Sequence, residues 1–78
     1  MKQKLELEEI ANLLAVNREL AVGRNFTHKS GVTYVVTGFT FNVESQEIDV
    51  LYSPVGAPDV TFNRDWEQFC DGRFGEVR

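Results

Sequence analysis

The sequence predicts an α+β fold: one N-terminal helix, then a small antiparallel, strongly bent sheet with one short helical turn. Three observations carry that prediction. Apolar residues recur at helical spacing only before residue 23. From Val32 onward β-branched and aromatic residues alternate with polar ones. Glycine, proline and asparagine then punctuate the chain at short intervals, as turns between short strands require.

The helix is expected over residues 5–22. Leu7, Ile10, Leu14, Asn17 and Ala21 follow spacings of three and four, and Leu13 and Leu20 widen the stripe. Glu6, Glu8 and Glu9 lie in the first turns, where they complement the positive end of the helix dipole. Gly23 supplies the stop. Asn17 interrupts the apolar seam. The stripe lasts only about two heptads, so a helix packed on a sheet, with Asn17 at its margin, is preferred over a coiled coil.

The segment RNFTHKSGVTY, residues 24–34, reads as a connector that turns at Ser30-Gly31 and places Phe26 and Tyr34 in or near the core. His28, the single histidine, orients that turn by a hydrogen bond. The β-rich part is assigned to residues 32–78. In its first strand, up to Val43, alternation places Val35, Phe39, Phe41 and Val43 opposite Tyr34 and Val36. Gly38 inside the run signals a bulge or bend. Glu44-Ser45-Gln46 forms a turn, and Ile48, Val50 and Tyr52 then alternate with Glu47, Asp49 and Leu51. After the turn PVGAP a short strand is expected over Asp59–Phe62. Residues 63–72 read as a short helix capped by Asn63 or Asp65 and ended by Gly72, with Phe69 as core anchor and Trp66 covering an edge. Phe74 leads a last strand.

Size bounds what this fold can do. The 78 residues form one domain, 1–78, and such a chain buries only about 60% of its unfolded surface. A buried cofactor pocket would consume much of that core, and no cofactor is expected. The composition, 42% hydrophobic and 26% charged, is that of an ordinary globular protein. Cys70 is the single cysteine, which excludes an internal disulfide and fits a reducing compartment. The sequence shows neither a secretory leader pattern nor an apolar run of membrane-spanning length, so a cytoplasmic address is expected.

Charge divides the chain. Residues 24–43 hold Arg24 and Lys29 and no acid, whereas residues 44–78 hold eight acids against Arg64, Arg73 and Arg78. An acidic half weakens a nucleic-acid reading, because phosphate binding rests on clustered Lys and Arg. It suits a partner with a basic surface. The carboxylates Glu44, Glu47, Asp49 and Asp59 are the candidate protein-binding set. The alternative is an anion or nucleic-acid site built from Arg24, His28, Lys29, Arg64 and Arg73, with Phe26 and Tyr34 as stacking platforms.

Chemistry of other kinds finds little footing. One cysteine and one histidine fall short of a zinc site, and no calcium loop or phosphate-cradling glycine pattern occurs. No metal is assigned. Cys70 falls near a helix C-terminus, where the dipole opposes a thiolate, and pairing it with His28 requires a proximity the sequence does not indicate. A non-enzymatic protein is expected.

The order of aromatic and basic positions resembles a family of short bacterial and phage domains of unknown function, counted among small SH3-like β-barrels. Phe26, His28, Gly31 and Tyr34 match its aromatic-x-His-x-Lys-Gly-x-x-Tyr block, and Val50 and Tyr52 match V-x-Y-R. Arg64 and Phe69 match Arg-Pro-x-x-x-Phe, and Arg73-Phe74 match the closing Arg-Phe. Ser30, Ser53 and Asp65 stand where that pattern has lysine, arginine and proline, which removes two positive charges from any anion site. The resemblance covers about residues 26–78, omits the N-terminal helix, and implies an SH3-like barrel as the form of the bent sheet. Size, acidity and resemblance lead to one expected role: a protein-interaction module of phage or mobile-element type. One concrete form is an inhibitor of a host defence complex, of the anti-CRISPR kind. A monomer is expected, with a homodimer through the N-terminal helix as the alternative.

Overall fold

The computed structural model describes residues 4–77. Along the chain run α1 (Leu7–Ala21), β1 (Asn25–His28), β2 (Thr33–Asn42), β3 (Glu47–Pro54), β4 (Phe62–Asp65), α2 (Trp66–Phe69) and β5 (Phe74–Glu76). This is the expected α+β class: a helix, an antiparallel sheet and a short second helix.

The first helix starts two residues later and ends one residue earlier than 5–22. Glu6 is its N-cap, and the Glu6 N–H donates to Glu9 Oε1 at 3.2 Å, satisfying one orphan donor. Leu5 is held outside the helix because its N–H donates to Gln46 Oε1 at 3.0 Å. At the other end Gly23 takes φ +87°, and its N–H donates to Val36 O at 2.8 Å. That bond hands the chain from helix to sheet at a φ that favours glycine. Leu14 and Ala21 reach the core as expected, but Leu7 is 84% exposed and falls outside the buried stripe.

The sheet has the order β4-β3-β2-β1-β5, antiparallel at every step. The segment read as a connector contains a strand: Asn25–His28 pairs with β2 on one side and β5 on the other. The β-rich part therefore begins at Asn25, not residue 32. Pairing on both sides, with nearby β2 and with β5 nearly fifty residues away, makes this short segment extended. The turn after it is where the sequence placed it. Gly31 has φ +99° and donates to His28 O at 2.8 Å.

The bulge signalled by Gly38 occurs, and it corrects the facing of β2. Val36 pairs with Tyr52 and Gly38 with Leu51, so Thr37 is the extra residue. An inserted residue reverses alternation beyond it. Tyr34 and Val36 therefore share the core side with Phe39 and Phe41 rather than opposing them. Val43, expected with the buried set, lies beyond the strand and is 74% exposed. Strand β3 follows its expected pattern, with Ile48, Val50 and Tyr52 buried.

The next strand is displaced by three residues, from Asp59–Phe62 to Phe62–Asp65. Turn bonds from Ala57 N to Pro54 O at 3.0 Å and from Val60 N to Ala57 O at 3.1 Å use up residues 57–60. Helix α2 is shortened to four residues. Asp65, not Asn63, caps it: Asp65 Oδ1 accepts from Glu67 N at 2.9 Å and Gln68 N at 3.2 Å.

Phe69 anchors the core as expected. It is 1% exposed and stacks on Phe74 at 4.1 Å, with Phe26 and Tyr52 edge-on at 5.2 Å. Trp66 is half-buried against Phe39 and Phe69. The ring contacts also measure the bend. Tyr52 on β3 and Phe74 on β5 lie three strand steps apart, roughly 14 Å in a flat sheet. Their centroids are 5.8 Å apart, so the sheet curls around this aromatic core. Its end strands, β4 and β5, are not paired with each other among the described residues, so the sheet is bent and open.

A candidate protein-binding surface

The two residue sets suggested by the sequence are only partly gathered by the fold. Consider first the basic set. The β1–β5 register places His28 opposite Phe74, and Lys29 N donates to Arg73 O at 2.8 Å. Arg64 reaches the same end from β4, with its guanidinium carbon 5.8 Å from the centre of the Phe74 ring. His28 and Arg64 thus flank the Phe74 ring, and Lys29 and Arg73 lie at the same end of the sheet. Arg24 lies at the opposite end of β1.

Most of these cations are occupied by the chain itself. Arg24 Nη1 lies 2.7 Å from Glu76 Oε2, and Arg73 Nε lies 3.2 Å from Asp71 Oδ2. Arg64 Nε donates to Tyr52 Oη at 3.3 Å, a bond that raises the guanidinium pKa further above its ordinary value. His28 Nδ1 accepts from Ser30 N at 3.1 Å and lies 2.9 Å from Ser30 Oγ, so the imidazole braces the turn, as the sequence suggested. Because Nδ1 is an acceptor there, the proton of the neutral ring lies on Nε2. Among the described residues, the Lys29 side chain alone of the five has no hydrogen-bond or ion-pair partner.

The acidic set divides differently. Glu47 and Asp49 point to the same side of β3, and Glu44 sits in the exposed turn before it. In that turn Asn42 Oδ1 accepts from Glu44 N and Ser45 N, both at 3.0 Å. Asp59 lies in the loop beyond the far end of β3, which at about 3.3 Å per residue is roughly 25 Å long. Its place beside Asp49 is taken by Asp65, the direct partner of Asp49 across the β3–β4 pair. The carboxylates of Glu44, Asp49 and Asp59 make no hydrogen bond or ion pair among the described residues.

Beside this acidic end is a cleft of about 390 Å³. Leu13 and Asn17 line it from α1, Glu47 and Ile48 from β3, and Asp65, Trp66 and Glu67 from the β4–α2 corner. Asn17 is held in the wall by its Nδ2, which donates to Leu13 O at 2.8 Å. Sequence reasoning singled out Asp65 as a cap and Trp66 as an edge cover. It did not place them with Glu67 opposite the helix, because the packing of α1 on the sheet carries no local signal.

Cys70 follows α2 with its side chain exposed at one edge. Partial burial of the sulfur and the nearby charge of Asp71 push its thiol pKa above the ordinary value, which disfavours the thiolate. No group of three or more potential metal-ligating side chains is found among the described residues. No helix among them is long and apolar enough to cross a membrane. No family model, curated protein or solved structure matches this chain.

Proposed function

We propose that the protein is a non-enzymatic interaction module that binds a basic surface of another protein through its acidic strand face and the acidic loops at the two ends of β3. The observation that carries this reading is the asymmetry in how charges are satisfied. Arg24 and Arg73 are held by the chain's own carboxylates and Arg64 by Tyr52, whereas Glu44, Asp49 and Asp59 remain without a partner among the described residues. Unpaired carboxylates facing water raise a negative potential that speeds encounter with a basic partner and opposes approach to phosphate. An accessory protein that occupies and inhibits a host complex is the specific form of this reading, supported by small size and acidity.

A tagged pull-down with and without nuclease tests it. A stoichiometric protein that survives nuclease, and is lost with the triple variant Glu44→Lys, Asp49→Lys and Asp59→Lys, is the expected result. Recovery of nucleic acid, or loss of every partner on nuclease treatment, overturns it. The placement of His28, Lys29, Arg64 and Arg73 at one end of the sheet favours the second reading, an anion or nucleic-acid site. Such binding would weaken steeply with added salt and fail in Lys29→Glu.

A further inference from the structure

Helix α1 has a second apolar face that the fold leaves uncovered. Ile10, Leu14, Asn17 and Ala21 face the sheet, whereas Leu13, Val16 and Leu20 follow the same three-and-four spacing roughly a quarter-turn away. Those three are 39%, 55% and 61% exposed. Leu13 belongs both to this stripe and to the wall of the cleft, so the stripe runs into the cleft without a break. At the junction Trp66 lines the cleft, and Glu47, Asp65 and Glu67 rim it.

From this juxtaposition we infer that the α1 stripe and the adjoining cleft form one docking groove for a basic amphipathic helix of a partner protein, which rests on the interaction reading above and names the partner's chemistry. The stripe from Leu13 to Leu20 is about 10 Å long, two helical turns, and presents the side-chain ridges against which another helix packs. Charge selects among occupants. A second copy of this chain, with net charge −4, would set a carboxylate rim against its like. A nucleic-acid backbone meets the same repulsion. A helix with leucines on one face and lysine or arginine beside them covers the stripe and sends its cations to the rim. There they also come within reach of the Trp66 indole, to which a cation is attracted.

Trp66 is the single tryptophan, so its emission reports occupancy of the cleft directly. The experiment titrates the purified protein with a short amphipathic Leu/Lys peptide. Two control peptides run alongside, one with the lysines replaced by glutamate and one of the same composition scrambled out of helical register. The expected result is a saturable change in Trp66 emission with the Leu/Lys peptide and not with either control. Leu20→Asp and Glu67→Lys should each weaken binding about fivefold or more, the loss expected of a residue that contributes to an interface. Both positions are exposed, and circular dichroism checks that each variant is folded.

No binding of the Leu/Lys peptide, or equal binding of the scrambled one, overturns the groove. So does a dimer in sedimentation that Leu20→Asp converts to monomer, since a second copy is then the occupant. If binding resists both groove variants but fails with Glu44→Lys, Asp49→Lys and Asp59→Lys, the groove is wrong and the acidic strand face stands. If neither variant set affects the peptide and the nuclease-treated pull-down is empty, the interaction reading falls as well.

Discussion

Removing the Phe69 ring should bring this protein to the edge of unfolding. The side chain is 1% exposed and lies among four aromatic neighbours. Phe74 and Trp66 stack on it at 4.1 and 5.6 Å, while Phe26 and Tyr52 meet it edge-on at 5.2 Å. These rings come from β1, β3, α2 and β5, so one truncation opens a cavity shared by four elements. Phe→Ala at a buried site costs about 3–5 kcal/mol. A chain of this length has a total stability of roughly 4–12 kcal/mol at 0.05–0.15 kcal/mol per residue. Urea unfolding followed by circular dichroism is the assay, because emission from neighbouring Trp66 would change with the mutation itself. Phe69→Ala should lower the midpoint sharply and the melting temperature by at least about 12 °C, at 4–8 °C per kcal/mol for a domain this small. Phe69→Leu should recover a large part of the loss. A cost below about 1 kcal/mol, typical of a surface change, would refute the account of the curled sheet as organised around this ring.

Three smaller perturbations probe the β1–β2 turn, the interior of β3 and the end of α2. His28→Ala removes the acceptor for Ser30 N and a ring contact with Phe74 at 4.9 Å. The expected loss is about 1–2 kcal/mol in thermal unfolding, and an unchanged melting temperature would show that the turn holds without it. Ser53 is 1% exposed and its hydroxyl has no hydrogen-bond partner among the described residues. Ser53→Ala should therefore leave stability unchanged or raise it by up to about 1 kcal/mol, whereas a clear loss would mean that the hydroxyl is satisfied in solution. The Cys70 thiol is shifted upward, by partial burial first and by Asp71 second. Its neutral form is favoured in the folded state, so the stabilisation is present below the unfolded thiol's pKa and lost as pH rises through the folded value. Alkylation by iodoacetamide should show a midpoint above the ordinary thiol value of 9.0, and Asp71→Asn should lower that midpoint.

Where local chemistry decides conformation, the sequence was sufficient. The spacing of Ile10, Leu14 and Ala21 with a glycine beyond them specifies a helix, and Gly31 specifies a turn that needs positive φ. Gly38 marked the bulge. Ile48, Val50 and Tyr52 alternate cleanly because β3 has one wet side and one covered side. Phe69 was legible as an anchor because few other apolar residues near it compete for the core. What escaped depended on partners far along the chain. Asn25–His28 has no alternation of its own and is fixed as a strand by its pairing with β2 and with the distant β5. The facing of β2 reversed because strict alternation runs straight through the bulge, whereas pairing with β3 inserts Thr37 as an extra residue and flips every side chain beyond it.

The candidate surfaces divide in the same way. The sequence by itself determined the fold class, the acidity of the second half and the brace that His28 provides to its turn. Tertiary structure alone decided which charges neutralise one another, since Arg24 meets Glu76 only through the β1–β5 pairing. It also separated Asp59 from Asp49 and brought Trp66, Asp65 and Glu67 across from Leu13. The physical reason is one of range. Propensity, capping and alternation act within a few residues, whereas ion pairs, clefts and exposed helix faces depend on how a curved sheet packs elements that the sequence holds apart.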